Sequence, residues 1–108
     1  MTMIQITEIT AGDGAEAKDG DKVTMHYRGS FPDGREFDSS YKGGRPFSFR
    51  VGRGEVIKGF DMGVLGLKVG GKRKIDIPSD LGYGARGAGG VIPPNQDLVF
   101  EIELVSIG

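Results

Sequence analysis

The organisation of the chain follows from one segment, Glu55-Val-Ile-Lys-Gly-Phe-Asp-Met-Gly-Val-Leu-Gly-Leu67. Its apolar residues recur at helical spacing, whereas the rest of the chain has the patterns of strands and turns. Three interior glycines, Gly59, Gly63 and Gly66, each weaken such a helix by about 1 kcal/mol relative to Ala. We therefore expect a sheet or a ligand to lie too close for a Cβ. The apolar stripe consists of Val56, Ile57, Phe60, Val64 and Leu67.

Alternating apolar and polar residues predict strands on both sides of this helix. Pro32-Asp-Gly34 predicts a hairpin turn, because Pro presets the first central position and Gly tolerates a positive φ. Residues 79–96 form a long loop whose apolar residues favour order over disorder. The pattern predicts an α+β fold, in which five or six antiparallel strands form a twisted sheet wrapped around one short helix. The predicted strands are residues 3–9, 23–28, 35–38, 47–51, 73–77 and 97–107.

The composition predicts a single domain, residues 1–108, and excludes several classes of function. The 14 basic and 15 acidic residues give no excess of positive charge for binding nucleic acid or an anionic membrane. Without Cys, and with His26 as the single His, neither a disulfide framework nor a zinc site is expected, and no metal or cofactor is predicted. The N-terminus has no signal-peptide pattern and no apolar run is long enough to span a membrane, so we expect a cytoplasmic protein without a membrane segment. The balanced charge and the lack of a spare helix favour a monomer.

Few polar residues qualify as candidates for a site. Asp38 precedes Ser39-Ser40, a pattern typical of a turn cap, and His26 is typical of a structural hydrogen-bonding group. Gly52-Arg-Gly54 precedes the helix but lacks the Gly-Lys-Ser/Thr ending of a phosphate loop, and no nucleophile triad or carboxylate pair occurs. An apolar pocket with a few polar points is the remaining candidate site. It would draw on aromatic residues in excess of what a small core needs: Tyr27, Phe37, Phe47, Phe49, Phe60, Tyr83 and Phe100.

Six motifs occur in a fixed order between about residue 4 and residue 107. They are Val23-Thr-Met-His-Tyr-Arg-Gly29, Asp33-Gly-Arg-Glu-Phe-Asp-Ser-Ser40, Pro46-Phe-Ser-Phe49, Glu55-Val-Ile-Lys-Gly-Phe-Asp61, Tyr83-Gly-Ala and Ile92-Pro-Pro-Asn-Gln-Asp-Leu-Val-Phe100. Together they resemble the FK506-binding-protein (FKBP) type of peptidyl-prolyl cis/trans isomerase. The resemblance implies an antiparallel sheet wrapped around a short helix, in agreement with the strand pattern.

The resemblance also implies the roles of individual residues. Phe60 would form the floor beneath a prolyl ring, the Tyr83 hydroxyl and the Ile57 amide would bind substrate carbonyls, and the Glu55 carbonyl would serve larger ligands. By the resemblance, Asp38 would be a carboxylate near the twisting amide and not only the turn cap that its local pattern indicates. The implied catalytic residues are Tyr27, Phe37, Asp38, Tyr83 and Phe100. The implied substrate-binding residues are Phe47, Glu55, Val56, Ile57, Phe60 and Ile92.

The implied partners are proline-containing peptides, client proteins and macrolides of the FK506 and rapamycin type, and no cofactor is implied. The chain departs from the family pattern at three positions. Phe60 replaces the usual Trp, Gly43 replaces an Arg that pairs with the pocket Asp in many members, although Arg45 lies nearby, and Ala88 replaces an aromatic residue or His. Two alternatives therefore stay open: a binding module of the same fold without useful turnover, and a general folding helper that grips unfolded chains.

Overall fold

One helix packs against a six-stranded antiparallel sheet in the computed structural model, which describes residues 3–108. Met1 and Thr2, the first residues of the predicted domain, lie outside the described residues. The elements are β1 (Gln5–Thr10), β2 (Lys22–Ser30), β3 (Glu36–Ser39), β4 (Phe47–Arg50), α1 (Lys58–Val64), β5 (Lys72–Ile77) and β6 (Leu98–Ile107). The strand order is β1-β5-β6-β2-β3, with β4 paired to β2, and the sheet does not close. The predicted α+β fold is confirmed.

Strand β2 organises the side of the sheet that carries the aromatic residues. One edge of β2 pairs with β6 along almost its whole length. The other edge is shared, because residues 22–25 pair with β4 and residues 28–30 pair with β3. The turn that joins β2 to β3 forms as predicted, with the Gly34 amide donating to the Phe31 carbonyl at 2.9 Å. Strands β2, β3, β4 and β6 therefore meet around Tyr27.

The core lies between α1 and the central strands. The predicted alternation is confirmed by burial in the central strands, since Ile75 and Ile77 of β5 and Leu98, Phe100, Ile102 and Leu104 of β6 are buried while their neighbours Lys74 and Glu101 are exposed. Edge strand β1 differs, because all of its residues are exposed and it pairs only with β5. The most deeply buried side chains are Val23, Met25, Val51, Val64, Leu67, Ile75, Ile77, Leu98, Ile102 and Leu104.

The helix is shorter at both ends than the predicted Glu55–Leu67. Ile57 precedes the helix in an extended conformation, with φ −60° and ψ 151°, and Val56 lies in a bend before it. At the other end, Leu65 leaves the helical region and Gly66 has φ +83°. The apolar stripe predicted too long a helix because Leu67 is buried although the helix has already ended. An apolar side chain can face the core from a helical or an extended backbone.

Two of the three puzzling glycines lie where the helix crosses β5. A Cβ on Gly59 would lie 2.5 Å from the Cγ2 of Ile77, and a Cβ on Gly63 would contact the Ile75 side chain just as closely. The expectation that a sheet excludes a Cβ is therefore confirmed at these two positions. Gly66 has a different reason, since a Cβ there would have no atom within 4 Å but the φ of this residue is positive.

The segment between β5 and β6 contains local structure within the predicted long loop. Two single-turn 3₁₀ helices span Ser79–Leu81 and Gly84–Arg86. The Ala88 amide donates to the Ile92 carbonyl at 2.8 Å, and the Ile92 amide donates back to the Ala88 carbonyl at 3.0 Å. These bonds bring Tyr83 and Ile92 to the same end of the sheet as the aromatic residues.

Candidate active site

Phe60 forms the floor of an aromatic cluster at one end of α1. Its side chain is 4% exposed, and its ring centroid lies 5.1 Å from that of Phe100 and 5.6 Å from that of Phe49, both in edge-to-face geometry. The ring of Tyr27 lies 6.2 Å away, nearly perpendicular. Because Gly59 allows the helix to approach β5, the Phe60 ring can lie this deep in the sheet.

The sheet supplies the aromatic walls. Tyr27 from β2 meets Phe47 from β4 edge to face, with ring centroids 5.7 Å apart. Phe37 from β3 meets Phe100 from β6 in the same way at 5.6 Å. Side chains from four strands can converge here because β2 pairs with all three of the others.

The segment before the helix supplies the last wall. Val56 and Ile57 are partly buried against the core, and the Ile57 carbonyl accepts hydrogen bonds from the Phe60 and Asp61 amides at 3.0 and 3.1 Å. The Ile57 N–H has no hydrogen-bond partner within residues 3–108. The Tyr83 hydroxyl likewise has no partner in the part of the chain that the structure describes. Both groups are thus available as donors to a ligand.

These walls enclose two adjoining cavities. The first, which we call the aromatic pocket, has a volume of about 190 Å³. The second, the loop hollow, has a volume of about 440 Å³ and shares Tyr83 with the first. The aromatic pocket is lined by Tyr27, Phe47, Glu55, Val56, Ile57, Phe60, Tyr83 and Phe100. The loop hollow is lined by Phe37, Asp38, Tyr83, Ala88, Gly89, Val91 and Ile92.

All eleven site residues named from the sequence therefore line one cavity or the other. Three residues of the loop hollow were not among them: Ala88, Gly89 and Val91. Val91 is 56% exposed at the edge of this hollow. An aliphatic residue in a glycine-rich loop was the only signal in the sequence that could have indicated it.

Asp38 and Tyr27 form the main polar contact of the site. The Tyr27 hydroxyl donates to Asp38 Oδ2 at 2.7 Å, while Asp38 Oδ1 accepts from the Ser39 amide at 2.8 Å. Burial raises the pKa of the Tyr27 hydroxyl above its ordinary value, and the hydrogen bond and negative charge of Asp38 raise it further. Tyr27 therefore stays protonated at neutral pH and holds Asp38 at the wall. Asp38 makes both the backbone contact of a turn cap and a contact inside the site.

No cation compensates the Asp38 carboxylate within residues 3–108. Neither Arg45 nor any other basic side chain forms an ion pair with it there. Lys42 is directed to Glu36, with its Nζ 3.7 Å from Oε2. A Cβ added to Gly43 would have no atom within 4 Å, so this position is open. The carboxylate is therefore free to interact with a ligand in the loop hollow.

Comparison with known proteins identifies the family. The family model for FKBP-type peptidyl-prolyl cis-trans isomerases matches residues 14–105. The chain belongs to this family. FK506-binding protein 1 of Dictyostelium discoideum is 53% identical over 103 residues, which cover 95% of this chain and 96% of that protein. Peptidyl-prolyl cis-trans isomerase FPR2 of Saccharomyces cerevisiae is 57% identical over 93 residues, which cover 85% and 69% of the two chains.

The fold agrees with the family. The crystal structure of AtFKBP13 superposes with a TM-score of 0.90 at 40% identity, covering 97% of this chain and 93% of that one. The FKBP resemblance and the prediction of a peptidyl-prolyl cis-trans isomerase are therefore confirmed. None of the helices in residues 3–108 is long and apolar enough to cross a membrane.

Proposed function

We propose that this isomerase accelerates rotation about X-Pro bonds by holding the prolyl ring in the aromatic pocket and the twisted amide at its mouth. Phe60 is the floor, with Tyr27, Phe47, Val56 and Phe100 as walls. No bond in the substrate is made or broken. Selective binding of the twisted amide over both planar isomers supplies the acceleration.

The energetic requirement is modest for such a site. Loss of amide resonance gives a barrier of about 18–20 kcal/mol, so uncatalysed rotation takes about tens to hundreds of seconds. A million-fold acceleration requires about 8 kcal/mol of preferential transition-state binding. A twisted amide separates less charge than a planar one, so transfer from water to an apolar pocket favours the twisted state. The aromatic lining supports this role.

The polar groups orient the substrate. The Ile57 amide and the Tyr83 hydroxyl donate to substrate carbonyls on either side of the prolyl ring, and the Glu55 carbonyl accepts from longer ligands. Asp38, held by Tyr27, faces the twisting amide from the loop hollow, beside Phe37 and Ile92. The observation that carries the proposal is the pair of unpaired donors, Ile57 N–H and Tyr83 O–H, at an otherwise apolar pocket.

The test is isomerase activity on Leu-Pro and Phe-Pro peptides, measured by protease-coupled assay and by NMR exchange. Asp38→Ala should lower kcat/KM about tenfold if the carboxylate orients the amide. Asp80→Ala, which removes an exposed carboxylate outside both cavities, is the matched control and should leave kcat/KM unchanged. No acceleration by the wild-type protein at micromolar concentration would refute the proposal, and an unchanged Asp38→Ala would return that residue to a turn cap.

A second candidate is a binding module that holds proline-like ligands without useful turnover. The observations that favour it are Phe60 in place of a larger floor residue and an Asp38 without a basic partner within residues 3–108. Titration with FK506 or rapamycin beside the isomerase assay separates the two, since binding without acceleration supports the module. If Phe60 leaves the aromatic pocket too deep for a prolyl ring, Phe60→Trp should raise both the affinity for the macrolide and the isomerase turnover.

The relatives named for binding FK506 support macrolides as ligands of the aromatic pocket. Proline-containing segments of client proteins are the proposed natural substrates. We further propose that the protein acts as a monomer in the cytoplasm. Suppression of aggregation of a proline-free client would instead support the third possibility, a general folding helper.

A further inference from the structure

The wall formed by Glu55, Val56 and Ile57 belongs to a segment with little regular structure of its own. This segment runs from the end of β4 to the start of α1. Gly52 and Gly54 both lie in the left-handed region, at φ +80° and +71°. Glycines allow such a turn but do not hold it, because they retain more backbone freedom than any other residue. The position of the wall therefore depends on other contacts.

Asp61 supplies those contacts from the first turn of α1. Its Oδ1 accepts a hydrogen bond from the Gly52 amide at 2.8 Å, and its Oδ2 accepts one from the Gly54 amide at 3.3 Å. The backbone amide of Asp61 also donates to the Ile57 carbonyl at 3.1 Å. Asp61, directly after Phe60 in sequence, thus contacts both the last residue of the wall, Ile57, and the glycine turn that precedes the wall.

The remaining contacts of the segment do not replace this link. Val51 is buried and anchors the start of the segment by exchanging hydrogen bonds with Gly20 and Asp21. The Glu55 carboxylate accepts a hydrogen bond from the Arg50 amide at 3.1 Å, and this bond involves neither Gly52 nor Gly54. The pair between Arg53 and Asp19, at 3.5 Å, joins exposed side chains and is worth little. The charge-assisted bonds of Asp61 are thus the ones that fix the two glycines.

We infer that Asp61 is a positioning residue for the substrate pocket, whose carboxylate fixes the Gly52–Gly54 turn and thereby the Ile57 amide and the Val56–Ile57 wall. The inference rests on the proposed function, because it assigns the Ile57 amide to the substrate. Water can reach the exposed glycine amides once the carboxylate is gone. The loss therefore affects the order of the wall more than the stability of the fold.

The experiment compares Asp61→Ala and Asp61→Asn with Asp19→Asn, a matched control that removes the charge of a carboxylate on the same turn, where Asp19 lies against Gly52 and pairs with Arg53. We expect Asp61→Ala to raise KM about tenfold while kcat stays within about twofold. Asp61→Asn keeps the volume and one acceptor and should raise KM about threefold. Asp19→Asn should leave KM unchanged. Amide hydrogen exchange at Gly52 and Gly54 should accelerate in both Asp61 variants.

The outcomes separate the inference from the proposed function. An unchanged KM in Asp61→Ala, despite accelerated exchange at the glycines, would overturn the inference while leaving the isomerase intact. A parallel fall of activity and melting temperature, reversed by cooling, would show a purely structural role and also overturn it. If the wild type showed no turnover, NMR titration with a proline-containing peptide decides: weaker binding by Asp61→Ala supports the positioning role, and equal binding or no binding by either protein refutes it.

Discussion

The C-terminal end of α1 is anchored inside the protein, whereas its N-terminal end is held at the surface. Arg73 of β5, only 7% exposed, donates to the Gly63 and Leu65 carbonyls at 2.9 and 2.8 Å. The same guanidinium pairs with Glu8 of β1. The last carbonyls of the helix, which have no partner within the helix, thus receive a buried cation.

At the N-terminal end the roles of helix and surroundings are reversed. The helix there supplies the charged group, Asp61, and a glycine turn supplies the backbone amides. The hydrogen-bonding groups of this turn are exposed. Breaking a buried contact leaves groups that water cannot reach, whereas water can replace an exposed one. We therefore expect changes at the C-terminal end to affect the stability of the fold and changes at the N-terminal end to affect the pocket.

Arg73→Met should have the largest effect on stability. It should lower the free energy of unfolding by about 3 kcal/mol, because the buried helix carbonyls lose their donor and the ion pair is lost. Urea denaturation gives this value, with the exposed Lys74→Met on the same strand as the control. At temperatures well below its melting point, Arg73→Met should keep the wild-type KM. A selective rise in KM would contradict the assignment of this end to the fold.

Gly59→Ala and Gly63→Ala compare the two ends directly. Each places a Cβ within 2.5 Å of an isoleucine side chain of β5, so each should cost about 1–2 kcal/mol of stability. Only Gly59→Ala should also raise KM, because it displaces the adjacent Phe60. Gly66→Ala meets no atom within 4 Å and tests backbone strain alone. Equal KM values for the Gly59 and Gly63 variants would remove the functional difference between the ends.

Local pattern in the sequence accounts for the strands and for the glycine contacts, but not for where the helix ends. Alternation predicted the central strands because each of them has one face toward the core. Strand β3 was predicted from the hairpin turn before it, and β1 from an alternation that burial does not follow, since all of its residues are exposed. Helix ends depend on hydrogen bonds that an apolar pattern does not specify. Val56 and Ile57 have apolar side chains that suit a helix or an extended wall, and the turn before them is bound by the Asp61 carboxylate and contains left-handed glycines. No periodicity contains that information.

The candidate site, too, could be predicted from the sequence only in part. Motifs identified the residues of both cavities, because each motif carries its own aromatic or polar group. Their separation into an aromatic pocket and a loop hollow depends on how residues 79–97 fold back. The Asn95 amide, for example, donates to the Gly84 carbonyl at 2.8 Å, and Asn95 adopts a positive φ. Such long-range bonds were not predictable, and Val91 was missed for this reason.

Glu8→Gln should have a smaller effect than loss of Arg73. The Glu8 side chain is 52% exposed, and Gln retains an oxygen that can accept from the guanidinium. We expect a loss of about 1 kcal/mol, measured by urea denaturation at low salt. Thr7→Ala on the same exposed strand serves as the control. A loss as large as that of Arg73→Met would mean that the ion pair, rather than the bonds to the helix carbonyls, anchors this end.

Tyr27→Phe should have the smallest effect on stability at neutral pH and a distinct effect at high pH. The pKa of the folded-state hydroxyl is raised by burial first and by Asp38 second, while in the unfolded chain it is about 10. Above pH 10 the unfolded state therefore releases a proton that the folded state keeps. The stability of the wild type is complete below this pH and falls as the pH rises above it.

The Phe variant lacks this proton, so its stability should fall less steeply between pH 9 and about 11 in urea titrations. Tyr41→Phe is the matched control, because Tyr41 is 45% exposed and its pKa is raised by burial and by Glu103 of β6, outside both cavities. It should flatten the curve less than Tyr27→Phe. Equal slopes for the two variants would mean that Asp38 is not held by a buried tyrosine. The Ser39 amide, which donates to Asp38 Oδ1, would then be the contact that orients the carboxylate.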